Sequence, residues 1–98
     1  MRFECYENIV ISKDKLTYRF ISEGPKGKIE KVVQFNFIGA LKIYELDFGN
    51  LVLDNFIDGL AVNDNKDRNK ILGTIIEIIY KFTSYYPNGA VFFNGTTE

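Results

Sequence analysis

A glycine- and lysine-rich segment at residues 22–28, SEGPKGK, is the first stretch of the chain that could perform chemistry. Glycine backbone N–H groups beside lysines can bind a phosphate, but such a loop normally leads from a strand into the N-terminus of a helix. Here IEKVVQFNF follows, and its β-branched and aromatic residues are typical of a strand. The segment is therefore interpreted as a turn, in which Pro25 sets the first corner and Gly27 adopts a positive φ.

A second candidate is a cation site in VNDNKDRNK, residues 62–70. Asn63, Asn65 and Asp67 have the alternating oxygen ligands of a calcium-binding loop. Such a loop also needs a glycine and a bidentate glutamate, at positions that Arg68 and Thr74 occupy here. The pattern favours a polar loop that caps the following helix, and we expect no metal site.

Other catalytic groups are sparse. Asp54 and Asp58 are four residues apart, but paired carboxylates need a third partner and a cleft for acid–base or magnesium chemistry, so surface charge is the preferred interpretation. The chain has no histidine, which removes the commonest general base and any Ser-His or Cys-His pair. We therefore expect no catalytic residues and no cofactor.

A hairpin over residues 15–38 is the first of the predicted elements that would position a functional site. Apolar and polar residues alternate on both sides of the turn, which is the pattern of two paired strands with one buried face. A four-residue loop from Gly24 to Gly27 predicts the facing pairs Glu23 with Lys28, Tyr18 with Val33 and Leu16 with Phe35.

The rest of the chain predicts an α+β fold. YENIVIS (6–12) is interpreted as a strand and SKDK (12–15) as a turn, while residues 38–62 fit either two short strands or a helix over 41–48. Residues 67–86 predict a long helix, and AVFFN (90–94) predicts a last strand. The expected architecture is an antiparallel β-sheet with one long helix on one face, in the order β-β-β-(β)-α-β.

The helix should pack on the sheet through an apolar face formed by Ile71, Ile75, Ile79 and Phe82. Asp64 or Asn65 could cap its start, and Glu77 with Lys81 forms an i,i+4 ion pair.

The chain is also rich in aromatic residues, with six tyrosines and nine phenylalanines, which could form a stacking platform for single-stranded nucleic acid. We interpret these residues as core instead, both on the buried hairpin face and elsewhere: Tyr18, Phe20, Phe35 and Phe37, then Tyr6, Tyr44 and Tyr80.

The opposite face of the hairpin is the place where a ligand or partner is expected. That face carries Thr17, Arg19, Val32, Gln34 and Asn36, and lysines lie near it in the sequence. The candidate ligand or partner surface consists of Arg19, Glu23, Lys26, Lys28 and Lys31.

Composition excludes several classes of protein. The net charge of −1 argues against a dedicated nucleic-acid binder, and the single cysteine, Cys5, excludes an intramolecular disulfide scaffold. Charged residues near the N-terminus do not fit a signal peptide, and no apolar run is long enough to span a membrane. We expect a single domain over residues 1–98 in a cytoplasmic protein.

Four segments together resemble an uncharacterised family of small bacterial proteins: SEGPKGKIEKVVQF, LDFGN, KILGTIIEIIYKFTSYYP and the terminal GTTE. The resemblance covers residue 6 to the end and implies a bacterial cytoplasmic protein. Family members continue beyond GTTE into an arginine-containing helical region, so these residues would represent the N-terminal portion of such a member. The family is a domain of unknown function, so the resemblance implies no activity.

Three functions remain open. The preferred one is a non-catalytic binding or interaction module; the alternative is a toxin-like or nucleic-acid-processing enzyme whose site includes Arg19, Glu23 and a missing C-terminal segment. The third is a structural subunit that works as an oligomer. The uncharged strand AVFFN should either insert between strands of its own sheet, which its apolar run without alternation favours, or pair with a second molecule. One helix covers only one face of the sheet, so the other face should be covered by a missing segment or by a partner. Self-association or an unknown protein partner is therefore expected.

Overall fold

The computed structural model describes residues 4–25, 27–52, 56–58 and 67–93. In chain order the elements are β1 (Val10–Ile11), β2 (Thr17–Gly24), β3 (Gly27–Ile38), β4 (Ile43–Val52), β5 (Phe56–Asp58), α1 (Arg68–Tyr85) and β6 (Ala90–Phe93). This order confirms the predicted α+β class, with one helix between the early strands and the last one. Residues 38–62, which fitted either two short strands or a helix, contain strands β4 and β5, and residues 41–48 do not form a helix.

The six strands form one mixed sheet. Strands β1 to β5 are neighbours in sequence order and each pair is antiparallel. Strand β6 pairs in parallel with the first half of β4, whereas β5 pairs with the second half. Among the described strands β6 pairs only with β4, so it lies at an edge and is not inserted between two strands of its own sheet.

The hairpin of β2 and β3 has the predicted register. Tyr18 faces Val33 and Glu23 faces Lys28. The loop is tighter than predicted, because Gly24 and Gly27 already pair with each other. Gly27 has a φ of 87°, the left-handed conformation that glycine adopts at least cost.

The helix packs on one face of this sheet, called here the front face. Its buried apolar residues contact a core contributed by β2, β3 and β4, and Phe82 stacks on Phe35 with ring centroids 3.9 Å apart and planes 8° apart. The fully or nearly fully buried core residues are Tyr18, Phe20, Val33, Phe35, Leu46, Ile75, Ile78 and Phe82. Ile71 and Ile79 are partly buried against this core, and Glu77 pairs with Lys81 at 3.7 Å, as the sequence predicts.

Two predicted core residues are exposed. Phe37 is 57% exposed. It is the next residue after Phe35 on the same face of β3, where the helix no longer covers the sheet, and its ring contacts Tyr44. Tyr80 is 65% exposed on the side of the helix away from the sheet.

The predicted N-terminal strand is also shorter than expected, reduced to Val10–Ile11. The backbone N–H of Tyr6 donates to the Thr74 hydroxyl of the helix at 2.8 Å, so the Tyr6 backbone is bonded to α1 and does not pair as a strand. The predicted caps Asp64 and Asn65 lie outside the described residues. Asp67 precedes the helix without a side-chain capping bond.

We predict that Ile75→Ala strongly destabilises the fold, whereas Leu72→Ala on the same helix does not. Ile75 is 8% exposed within the core and Leu72 is 51% exposed. Truncating a buried isoleucine should lower the free energy of unfolding by about 2–5 kcal/mol, and an exposed leucine by about 0.5 kcal/mol or less. Urea unfolding followed by circular dichroism measures both. Equal losses for the two variants would contradict the observed packing.

Candidate functional site

The residues of the predicted hairpin surface lie on different faces of the sheet. Arg19 lies on the face away from the helix, called here the second face, where its guanidinium is 3.7 Å from the Glu30 carboxylate. Glu23 and Lys28 face each other near the end of the hairpin and are exposed. Lys31 pairs with Phe20, so it lies on the front face, and only 6% of it is exposed. Lys26 lies outside the described residues. The structure therefore separates Arg19 from Lys31, and a binding role for this surface stays a prediction.

A group of polar side chains, called here the Asp67 cluster, lies at the N-terminal end of α1. The hydroxyls of Tyr6 and Ser22 both donate hydrogen bonds to the Asp67 carboxylate, at 2.5 Å each. The backbone N–H of Glu23 donates to the Tyr6 hydroxyl at 3.0 Å, and the Thr74 hydroxyl donates to the Lys70 carbonyl at 2.7 Å. These bonds join the N-terminal segment to both the hairpin and the helix.

Burial sets the electrostatics of the Asp67 cluster. Burial, reinforced by the hydrogen bond to Asp67, raises the pKa of Tyr6 above its ordinary value. Burial lowers the pKa of Lys31, although the nearby Asp67 charge acts in the opposite direction. The Lys70 ammonium lies 4.3 Å from the centroid of the Tyr6 ring, a cation–π contact.

Two groups at the Asp67 cluster that could act as a nucleophile or base, Ser22 and Lys31, are inaccessible. Ser22 has no exposed surface, and the amine of Lys31 belongs to an almost fully buried side chain. A nucleophile must reach its substrate, so a hydroxyl in this position bonded to Asp67 serves to hold the fold together. An open cleft beside the cluster is lined by Glu4, Tyr6, Glu23, Asp67, Arg68, Asn69 and Lys70.

A different concave surface lies at the opposite end of the helix and is called here the aromatic groove. It has a volume of about 560 Å³ and is lined by Phe37, Gly39, Lys42, Tyr44, Tyr85, Tyr86, Pro87, Asn88 and Gly89. Phe37 is 57% exposed and Tyr85 is 47% exposed, so two aromatic rings of the groove are open to solvent.

The core of the protein supports the aromatic groove. Tyr44 contacts Phe82 edge to face at 5.0 Å and Tyr86 at 5.5 Å. Tyr86 is fixed further by its hydroxyl, which donates to the Asp14 carbonyl at 2.7 Å. A Cβ atom added at Gly89 would lie 3.2 Å from the Tyr44 ring, so glycine lets the turn after the helix approach that ring closely.

Sequence reasoning did not find the aromatic groove, because its residues were assigned to the core or to the end of the helix. The available signal was the pair Tyr85–Tyr86 followed by Pro87, together with an aromatic residue near the end of β3.

The possible calcium loop cannot be placed, because Asn63 and Asn65 lie outside the described residues. Across residues 4–25, 27–52, 56–58 and 67–93, no three Asp, Glu, Cys or His side chains group closely enough to hold a metal ion.

We predict opposite effects for two Tyr→Phe substitutions. Tyr6→Phe removes a hydrogen bond to a carboxylate, which should lower the free energy of unfolding by about 1.5–3 kcal/mol. The Tyr18 hydroxyl is buried without a hydrogen-bond partner among the described residues, and burial raises its pKa to about 12. Tyr18→Phe should therefore leave stability unchanged or increase it.

Thermal unfolding of the two variants beside the parent protein provides the measurement. Each substitution deletes one oxygen, so each is the control for the other. A larger loss of stability in Tyr18→Phe than in Tyr6→Phe would contradict the assigned hydrogen bonds.

Comparison with known proteins identifies the family but no activity. Searches of curated proteins and of solved structures each gave no match. In the part of the chain that the structure describes, no helix combines the length and apolar character needed to cross a membrane. A family model matches residues 2–98, which confirms the resemblance to an uncharacterised family. The chain therefore belongs to DUF6934, a family of unknown function.

Proposed function

We propose that the protein is a non-catalytic binding module that holds its ligand in the aromatic groove. The observation that carries the proposal is the pair of half-exposed rings, Phe37 and Tyr85, in one concave surface. Ligand sites are typically concave and mostly apolar, with a few polar groups at the edge. The tyrosine hydroxyls and Lys42 supply such groups here.

The rigidity of the groove supports this proposal. Tyr44 and Tyr86 both contact Phe82, whose side chain is fully buried. A ligand that enters a preformed groove does not have to order loose side chains, so more of the contact energy appears as affinity. By contrast, Ser22 and Lys31, which could have performed chemistry, are buried.

The toxin-like or nucleic-acid-processing alternative draws no specific support from the described residues. It requires Arg19 and Glu23 to act on one substrate. The cleft beside Asp67 includes Glu23 but not Arg19, which pairs with Glu30 on the second face. The binding module is therefore the function that the geometry supports best.

We predict that small aromatic fragments bind in the groove and shift the amide resonances of Gly39, Lys42 and Gly89. The matched pair of variants is Tyr85→Ser, inside the groove, and Tyr80→Ser, which is 65% exposed on the same helix but is not among the groove residues. Tyr85→Ser should abolish the shifts, because it removes a stacking surface, and Tyr80→Ser should preserve them. Shifts that cluster at Glu4, Tyr6 and Lys70 instead would show that the cleft beside Asp67 is the binding site.

Self-association is a separate proposal, and it is supported by the edge position of β6. Phe92 is 52% exposed on a strand that pairs only with β4 among the described strands. An uncharged edge strand can recruit a second copy by backbone pairing.

We predict that light scattering over a concentration series detects a dimer and that Phe92→Lys weakens it. A strictly monomeric protein at high concentration would contradict this proposal.

A further inference from the structure

Two lysines adopt a backbone conformation that favours glycine. Among the described residues, φ is positive only at Lys15 (64°), Lys42 (56°) and Gly27 (87°). For an L-residue other than glycine, the left-handed region costs roughly 1–2 kcal/mol, and asparagine or glycine is the usual occupant. The β2–β3 turn uses glycine at this position, whereas the other two turns use lysine.

The two lysines come from different turns that end near the same surface. Lys15 closes the turn after β1, where its N–H donates to the Ser12 carbonyl at 3.0 Å. Lys42 closes the turn between β3 and β4, where its N–H donates to the Ile38 carbonyl at 2.8 Å. The Lys15 ammonium lies 5.0 Å from the centroid of the Tyr85 ring, and Lys42 lines the aromatic groove.

No carboxylate neutralises these two lysines in the described part of the fold, and the cation–π contact of Lys15 with Tyr85 leaves its positive charge in place. Neither ammonium forms an ion pair with a carboxylate among the described residues. Asp14, the acidic residue next to Lys15 in the sequence, is bonded within its own turn by the Ser12 hydroxyl at 2.6 Å and the Leu16 N–H at 3.0 Å. Glycine could adopt this conformation without strain, so the presence of lysine points to a role for its side chain.

From this arrangement we propose that the aromatic groove binds a nucleobase together with its neighbouring phosphate, either as a free nucleotide or within a single strand of nucleic acid. The base stacks on the open rings of Phe37 and Tyr85, because every nucleobase presents a flat π surface. The phosphate lies between the ammonium groups of Lys15 and Lys42. This inference rests on the proposed binding function of the groove and adds the class of ligand.

The test is a titration of the full chain with AMP, with adenosine and with a single-stranded decathymidylate, followed by amide resonances and fluorescence anisotropy. Lys42→Gly and Lys15→Gly should each weaken AMP binding by about fivefold, because each removes one phosphate contact. Lys42→Gly should unfold at the same temperature as the parent or higher, since glycine relieves the left-handed strain. In Lys15→Gly the same gain offsets the loss of the cation–π contact with Tyr85, so this variant should unfold near the parent temperature. Adenosine should bind more weakly than AMP and be insensitive to both substitutions.

Lys28→Ala is the matched control, because Lys28 is an exposed lysine of the hairpin, away from the groove residues. It should leave AMP binding unchanged. Equal affinity per site for AMP and the decathymidylate identifies a free nucleotide as the ligand, and much tighter binding of the strand identifies single-stranded nucleic acid.

Three results would overturn the inference. The first is loss of affinity in Lys28→Ala but not in Lys42→Gly, and the second is equal binding of AMP and adenosine. The third is binding of aromatic fragments in the groove with no response to AMP, which would reject the nucleotide while leaving the proposed binding function intact. If neither fragments nor AMP bind, both proposals fail.

Discussion

The contact on which the described structure most depends is the stack of Phe82 on Phe35. Ring centroids 3.9 Å apart and planes 8° apart join the single helix to the middle of the sheet. The same Phe82 ring contacts Tyr44 and Tyr86, each at 5.0 Å. Because aromatic pairs stabilise through both buried area and ring geometry, this one residue fixes the position of the helix and the support of the aromatic groove together.

The two ends of the helix consequently differ in what they offer to solvent. At the N-terminal end, the Asp67 carboxylate accepts hydrogen bonds from the hydroxyls of Tyr6 and Ser22, and these bonds join the N-terminal segment to the hairpin. At the C-terminal end, Phe37 and Tyr85 keep half of their surface exposed. Ser22 and Lys31 are thus buried at one end of the helix, whereas the rings of Phe37 and Tyr85 remain open to a ligand at the other end. This difference is the physical basis for proposing binding without catalysis.

Local sequence patterns predicted the parts of the fold that depend on neighbouring residues. Alternation and the Pro25–Gly27 turn predicted the facing pairs Tyr18–Val33 and Glu23–Lys28, and helical periodicity predicted α1 within one residue at each end. The same register already implies that Lys31 shares the buried face with Phe20, so grouping it with Arg19 was inconsistent with the predicted hairpin. The alternation of apolar and polar residues along β3 could not show where the helix stops covering the sheet, and Phe37 was therefore assigned to the core.

Contacts between distant segments could not be read from the sequence. The parallel pairing of β6 with β4 and the bond from Tyr6 to Thr74 join residues far apart in the chain. The aromatic groove combines residues from β3, the turn before β4, β4 itself, the last residue of the helix and the segment after it, and no local pattern marks such a combination. The unusual φ values of Lys15 and Lys42 are likewise visible only in the folded backbone.

The proposed function requires an aromatic ligand to occupy the groove between Phe37 and Tyr85. The most direct measurement is an isotope-filtered nuclear Overhauser experiment on the full chain saturated with AMP. Contacts should appear between the base protons of AMP and the ring protons of Phe37 and Tyr85. Contacts to Tyr6 or to the hairpin side chains, with none to Phe37 and Tyr85, would contradict the proposed function.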